Sequence, residues 1–188
     1  MSTGATIVVI VVAVVVLALG AWFIRQQVRR RQLRERFGPE YDRALEDGAD
    51  RREVERDLAE RERRHADLDI RPLDEAARER YGEDWTRIQA EFVDDPGGAV
   101  AEADRLVTVV MAERGYPTEG YEQQLTALSV QHAATLGHYR SAHDVMQQHT
   151  EQQASTEDLR EAMVHYRSLF EDLLEAPVDN QDRGGVTK

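Results

Sequence analysis

Between Ala5 and Ile24 the sequence reads ATIVVIVVAVVVLALGAWFI, without one charged residue. Nothing else in the chain constrains its fold as strongly. Twenty residues at about 1.5 Å of helical rise make about 30 Å, the hydrocarbon thickness of a bilayer. In lipid the backbone must bond to itself, which a helix does, so the heavy valine and isoleucine content is no obstacle there. Ala5 and Ile24 are therefore the expected ends of a transmembrane helix.

A cleaved export signal would need a basic start, a shorter apolar stretch and a small-x-small cleavage site. Residues 1–6, MSTGAT, contain no Lys or Arg. Ala18-Leu19-Gly20 has small residues, but Trp22, Phe23 and a basic block follow at once. Trp22 suits the interfacial position of a retained span. Orientation follows from Arg25, Arg29, Arg30, Arg31, Arg34 and Arg36, all just after the span. By the positive-inside rule the N-terminus lies outside and the rest of the chain in the cytoplasm. Arg25, Arg29, Arg30, Arg31 and Arg34 are also the expected contacts with anionic headgroups, each contributing about 1 kcal/mol near the surface.

Charge separates the remainder. Residues 1–68 carry 13 Arg against 12 acidic residues, whereas residues 69–188 carry 11 basic against 24 acidic ones. An acidic domain repels phosphate backbones, which argues against nucleic acid as a partner. There is no cysteine, which removes disulfides, thiolate metal sites and cysteine nucleophiles together.

Residues 26–36 can continue the first helix into water, and Phe37-Gly38-Pro39 interrupts it. A short helix through Tyr41 and Leu45 follows, up to Asp47-Gly48. Residues 51–68, RREVERDLAERERRHADL, form a highly charged helix. Arg51/Glu55, Arg56/Glu60, Asp57/Arg61 and Glu60/Arg64 stand at i,i+4. Val54, Leu58, Arg61, His65 and Leu68 have seam spacing with two polar members. A solvated spacer and a coiled-coil homo-oligomer through this stalk both fit, and the polar members favour the spacer.

Beyond Ile70-Arg71-Pro72 the helical period is clear. Residues 74–93 place Ala77, Tyr81, Trp85, Ile88 and Phe92 on one face. Asp95 can cap the next helix, with Pro96 at its first position. That helix buries Val100, Ala103, Leu106, Val107, Val110 and Met111 and ends at Gly115, before Pro117. A short helix from Tyr121 to about Leu128 follows, then one from Ala133 to about Gln152. Ser155-Thr156-Glu157-Asp158 starts the last, running to Glu175. The expected fold is all-α: a transmembrane helix (1–24), a basic juxtamembrane segment and charged helical stalk (25–69), a bundle of about four helices (70–176) and a disordered tail (177–188).

These landmarks also carry a resemblance. RFGPEYDR after a single span, then FVDDP, RGYP, LSVQH, HYRSAHDV and STEDLREAM are similar to a family of uncharacterised actinobacterial single-span membrane, or "secreted"-type, proteins. The resemblance covers nearly all the chain after the anchor. It implies the same architecture and supplies no activity. Such proteins often have Pro after the His of LSV-x-His, where this chain has Ala133, so the start of that helix is less sharply fixed.

No pattern calls for catalysis. Five histidines, His132, His138, His143, His149 and His165, fall in the second half of the chain. The pairs His138/His143 and His143/His149 are five and six apart, which misses the i,i+3 or i,i+4 spacing of helical metal ligands. The two HYR triplets, 138–140 and 165–167, lie on different helices and imply coincidence or paired packing. Arg140 and Arg167 could each tie to Asp94 or Asp95, a structural contact. There is no phosphate-binding loop, dinucleotide motif or Gly-x-Ser-x-Gly. The sequence thus points away from an enzyme, metal or cofactor, and toward a membrane-anchored scaffold or interaction module with an unidentified protein partner. The competing readings are a small-ligand sensor or enzyme with an inter-helical pocket that uses His143, Arg140 and the acids of the 94–95 loop, and an exported domain of inverted topology.

Overall fold

The computed structural model describes residues 3–46 and 48–175, without the side chains of residues 3–11, 13, 15 and 26. The expected tail at 177–188 lies outside the described residues, as does the side chain of Ala5. The described residues form eight helices and no strand: α1 (Thr3–Phe37), α2 (Pro39–Glu46), α3 (Arg51–Ala66), α4 (Glu75–Glu91), α5 (Pro96–Arg114), α6 (Tyr121–Gln131), α7 (Ala133–Thr150) and α8 (Thr156–Glu175). Among the described residues, no helix is long and apolar enough to cross a membrane. Much of the 5–24 run lies among the side chains outside that set.

The chain divides into two compact units, residues 1–59 and 60–188. The division falls inside α3, earlier than the composition break at Ile70, because the last turns of α3 already belong with the second unit, where the His65 ring lies 6.1 Å from that of Tyr116. In the first unit α1 runs unbroken to Phe37, and Gly38 takes the left-handed φ of 41°. Pro39 then opens α2, where its missing N–H is no loss. Leu33, Phe37, Tyr41, Val54 and Leu58 are buried. The charged segment is therefore not a solvated spacer. Of its seam residues, Val54, Leu58 and His65 are all buried within the chain, and a dimer through that seam would have to displace those contacts. Glu55 serves this packing rather than its own helix. It accepts from the Tyr41 hydroxyl at 3.3 Å and lies 3.1 Å from Arg30 Nε.

The second unit is built on α4, α5, α7 and α8, with α6 leading into α7. Local chemistry sets each boundary. Asp74 caps α4 by accepting from Ala77 N at 2.7 Å. Asp95 caps α5 by accepting from Gly98 N at 3.0 Å, with Pro96 in the first turn. Ser155 and Asp158 cap α8 reciprocally: Ser155 Oγ accepts from Asp158 N at 3.2 Å, and Asp158 Oδ2 accepts from Ser155 N at 2.7 Å. The apolar faces of these helices meet in one core that includes Trp85, Val107, Met111, Leu136 and Leu169. Trp85 stacks on Phe170 with ring centroids 4.7 Å apart. α6 runs to Gln131, past the expected end near Ser129, because Ala127, Leu128 and Val130 are also buried.

Candidate functional site

α5 ends in a left-handed turn that carries the chain back over its own last residues. Gly115 N donates to Ala112 O at 3.0 Å, and Tyr116 N donates to Met111 O at 2.9 Å. This closure aims Tyr116 inward, toward the junction of α6 and α7. The Tyr116 hydroxyl donates to Gln131 Oε1 at 2.8 Å and lies 2.9 Å from His132 Nε2. His132 Nδ1 lies 2.9 Å from Asp172 Oδ2 on α8, and Asp172 also accepts from the Thr135 hydroxyl at 2.6 Å. A phenol, an imidazole and a carboxylate thus stand in line.

Arg114 lies beside this line with its side chain fully buried. Its Nη1 donates to Leu173 O at 2.6 Å and its Nε to Arg71 O at 3.3 Å. Burial pushes the guanidinium below its ordinary range, while Tyr116 and Asp172 nearby favour the charge. Burial also pushes the Tyr116 phenol up to about 12, so it stays protonated. Burial works the other way on Asp172, but hydrogen bonds from His132 and Thr135, with the charges of His132 and Arg114, hold its carboxyl below the usual range.

A groove of about 380 Å³ opens beside this network, lined by Arg61, Arg64, His65, Leu68, Pro117 and Glu122 among others. The His65 ring lies 6.1 Å from that of Tyr116, so the groove reaches the outer end of the line. A carboxylate–imidazole–phenol array can relay a proton in principle. Here Tyr116 and His132 are both almost wholly buried, and their polar atoms are engaged with each other and with Gln131 and Asp172. The chemistry this arrangement supports is structural: it fixes the α6–α7 corner and the end of α8 to the end of α5.

Comparison with protein-family models, curated proteins and solved structures finds no match. The site therefore stands on its own geometry.

The residues singled out in the sequence separate into three groups. Arg25 and Arg29 are exposed. Arg30, Arg31 and Arg34 meet Glu55, Glu35 and Asp42 at 3.1, 2.8 and 3.2 Å. Of the residues of the expected tie, Asp95 spends its carboxylate on the α5 cap and Arg167 pairs with Glu171 at 2.7 Å in its own helix. Asp94 is exposed and Arg140 half-buried on α7. His143 stacks on Tyr121 with centroids 3.8 Å apart, and Tyr139 donates to Gln124 at 2.7 Å, so the region of the expected inter-helical pocket is filled by rings. No group of three metal-ligating side chains occurs among the described residues.

The two HYR triplets are paired in packing. Tyr139 and Tyr166 meet edge to face at 6.2 Å, and His138 Nδ1 lies 2.9 Å from His165 Nδ1. One proton can lie between two such nitrogens, and two cannot. Burial, then the charge of His138, pushes His165 below the ordinary histidine range, against a smaller opposing pull from Glu161. A depressed folded value means that acid favours the unfolded chain. The contribution is complete above about pH 7 and is lost as pH falls from about 6.5 through the folded value. The thermal midpoint should therefore fall between pH 7 and 5, and His165→Gln should flatten that part of the profile. An unchanged slope in the variant would assign the loss elsewhere. Asp172 acts in a separate window, below about pH 4, because its depressed carboxyl loses its contribution only there.

Sequence reasoning missed Arg114, Tyr116 and the His132–Asp172 pair. One signal was present. Val107, Val110, Met111 and Arg114 share the apolar stripe of α5 at steps of three, one and three, and a cation on such a stripe marks a buried charge with dedicated acceptors.

Proposed function

We propose that this chain is a single-span membrane protein that holds an acidic helical interaction module at the cytoplasmic face. One observation carries the reading. The first half of α1 exposes Val12, Val14, Val16, Leu17, Leu19, Trp22, Phe23 and Ile24, each more than half accessible, and the arginine block follows directly. An uninterrupted helix with so much apolar surface is expensive in water and stable in lipid. Binding rather than catalysis is supported by the use of the buried polar groups, which tie helix ends together and leave no nucleophile or base facing the groove from that network. The likeness to single-span actinobacterial proteins belongs to the same reading.

The test is fractionation followed by protease treatment. The full chain should stay with membranes through alkaline carbonate, and residues 25–188 alone should be released. A C-terminal tag should be protected in intact cells and cut in inside-out vesicles. Release of the full chain by carbonate would remove the anchor, and cleavage in intact cells would invert the topology.

A further inference from the structure

The first unit contains a second cavity, and its chemistry is unlike that of the groove. Between α1, α2 and the start of α3 lies a cleft of about 570 Å³, lined by four arginines (Arg30, Arg31, Arg34 and Arg51) and one carboxylate, Asp42, together with Gln27, Tyr41 and Leu45. Four guanidinium groups from two helices converge where the sequence alone shows only a basic run, because Arg51 is brought in from 17 residues beyond Arg34. We propose that this cleft binds a phosphate-bearing anion, with an anionic phospholipid headgroup and a soluble phosphate as its two sources.

Three observations support a site rather than a topology signal. The carboxylates beside the cleft meet the arginines at one edge: Glu35 takes Arg31 Nε at 2.8 Å, and Asp42 lies 3.2 Å from Arg34 Nη2. A guanidinium offers five N–H donors in a fixed fork, so each arginine retains donors for a tetrahedral oxyanion. Arg30 Nε is buried and lies 3.1 Å from Glu55 without an aligned hydrogen bond among the described residues, so this lining guanidinium is only partly satisfied by its carboxylate. The cleft also stands at headgroup height. Gln27 to Arg34 lie three to ten residues past Ile24, about 5–15 Å along the helix from the hydrocarbon edge. This height rests on the membrane reading of α1, whereas the anion chemistry of the cleft does not.

The test uses the full chain in nanodiscs of phosphatidylcholine containing one tenth phosphatidylglycerol, with bound lipid counted by native mass spectrometry after release. Wild type should retain phosphatidylglycerol over phosphatidylcholine, and the exposed pair R34Q/R51Q should lower that preference about thirtyfold, the loss expected for two charge contacts near a membrane surface. The control R25Q/R29Q removes the same charge outside the cleft; it weakens only the diffuse attraction to the membrane surface, which ends once the discs are dissolved, so the preference among lipids retained after release should change less than about twofold. A parallel titration with inorganic phosphate in phosphatidylcholine discs separates the sources. Displacement of the retained lipid identifies a phosphate site open to either source, and retention despite phosphate identifies a headgroup site. Equal retention of both lipids by wild type, or an equal loss in the control, would overturn the proposal. Should the chain fail to enter discs, the anchor reading falls. Phosphate binding that is lost in R34Q/R51Q would then still support the cleft, and its absence in wild type would refute it.

Discussion

Replacing Arg114 with methionine is expected to destabilise the chain by roughly 3–5 kcal/mol, a large part of the total stability of an ordinary domain. Leu173 lies two residues before the last residue of α8, so its carbonyl is among the final four that receive no donor from within the helix. Arg114 supplies that donor, and its charge faces the negative end of the helix dipole. A second bond, to Arg71 O, holds the segment between α3 and α4 against the same guanidinium. Methionine fills similar space and leaves the buried Leu173 carbonyl without this donor, at about 1–3 kcal/mol, and the part-buried Arg71 carbonyl at the lower end of that range, before the loss of the charge at the helix end is added. Replacing a buried ion pair with apolar side chains is often neutral, because both partners go together. Here the acceptors are backbone and remain. Arg114→Lys should fall between, since an ammonium cannot fork toward two carbonyls on different segments. Urea unfolding at fixed detergent would measure this through Trp85, in a Trp22→Phe background. A loss under about 1 kcal/mol for the methionine variant would show that the two bonds are replaced by water or by relaxation.

Most of the helical architecture was legible because it is written locally. Asp74, Asp95 with Pro96, Ser155 with Asp158, and Gly115 each act within a few residues of themselves, and the apolar steps of α4, α5 and α8 repeat at the helical period. What was not legible depends on partners far along the chain. His132 meets Asp172 across 40 residues and Arg114 meets Leu173 across 59, and neither spacing leaves a mark on local periodicity. The charged face of α3 misled for a related reason. Eleven Arg, Glu and Asp side chains in sixteen residues dominate its composition, and although Val54, Leu58 and His65 show seam spacing, that spacing does not say whether the seam meets a second copy or the chain itself. Burial depends on which face meets a neighbour, and composition averages over faces. The arginine block was read correctly as basic, but only the fold brings Arg51 and Tyr41 to it.

Gly115→Ala is expected to cost about 3 kcal/mol or more, for two separable reasons. The first is conformational. Gly115 has φ 93°, where an L side chain is strained by about 1–2 kcal/mol. The second is steric. A Cβ at this position would run into the carbonyl oxygen of Asp69, a backbone atom on the segment that Arg114 also holds. A flexible side chain could swing away, but this carbonyl is fixed through its neighbours: Ile70 is in the core, and Arg71 N donates to Arg114 O at 2.8 Å. Relieving the collision means opening that contact, at the further 1–3 kcal/mol typical of overpacking. Gly48 separates the two effects. Its φ of 83° is nearly the same, and a Cβ there meets nothing within 4 Å. Gly48→Ala should therefore show the conformational cost alone, about 1–2 kcal/mol. Unfolding midpoints of the two variants, compared at equal slope, test the division. If they lose the same amount, Asp69 gives way without cost and the close approach is incidental. If Gly115→Ala loses clearly more, the corner at the end of α5 is held by backbone proximity as well as by the guanidinium beside it.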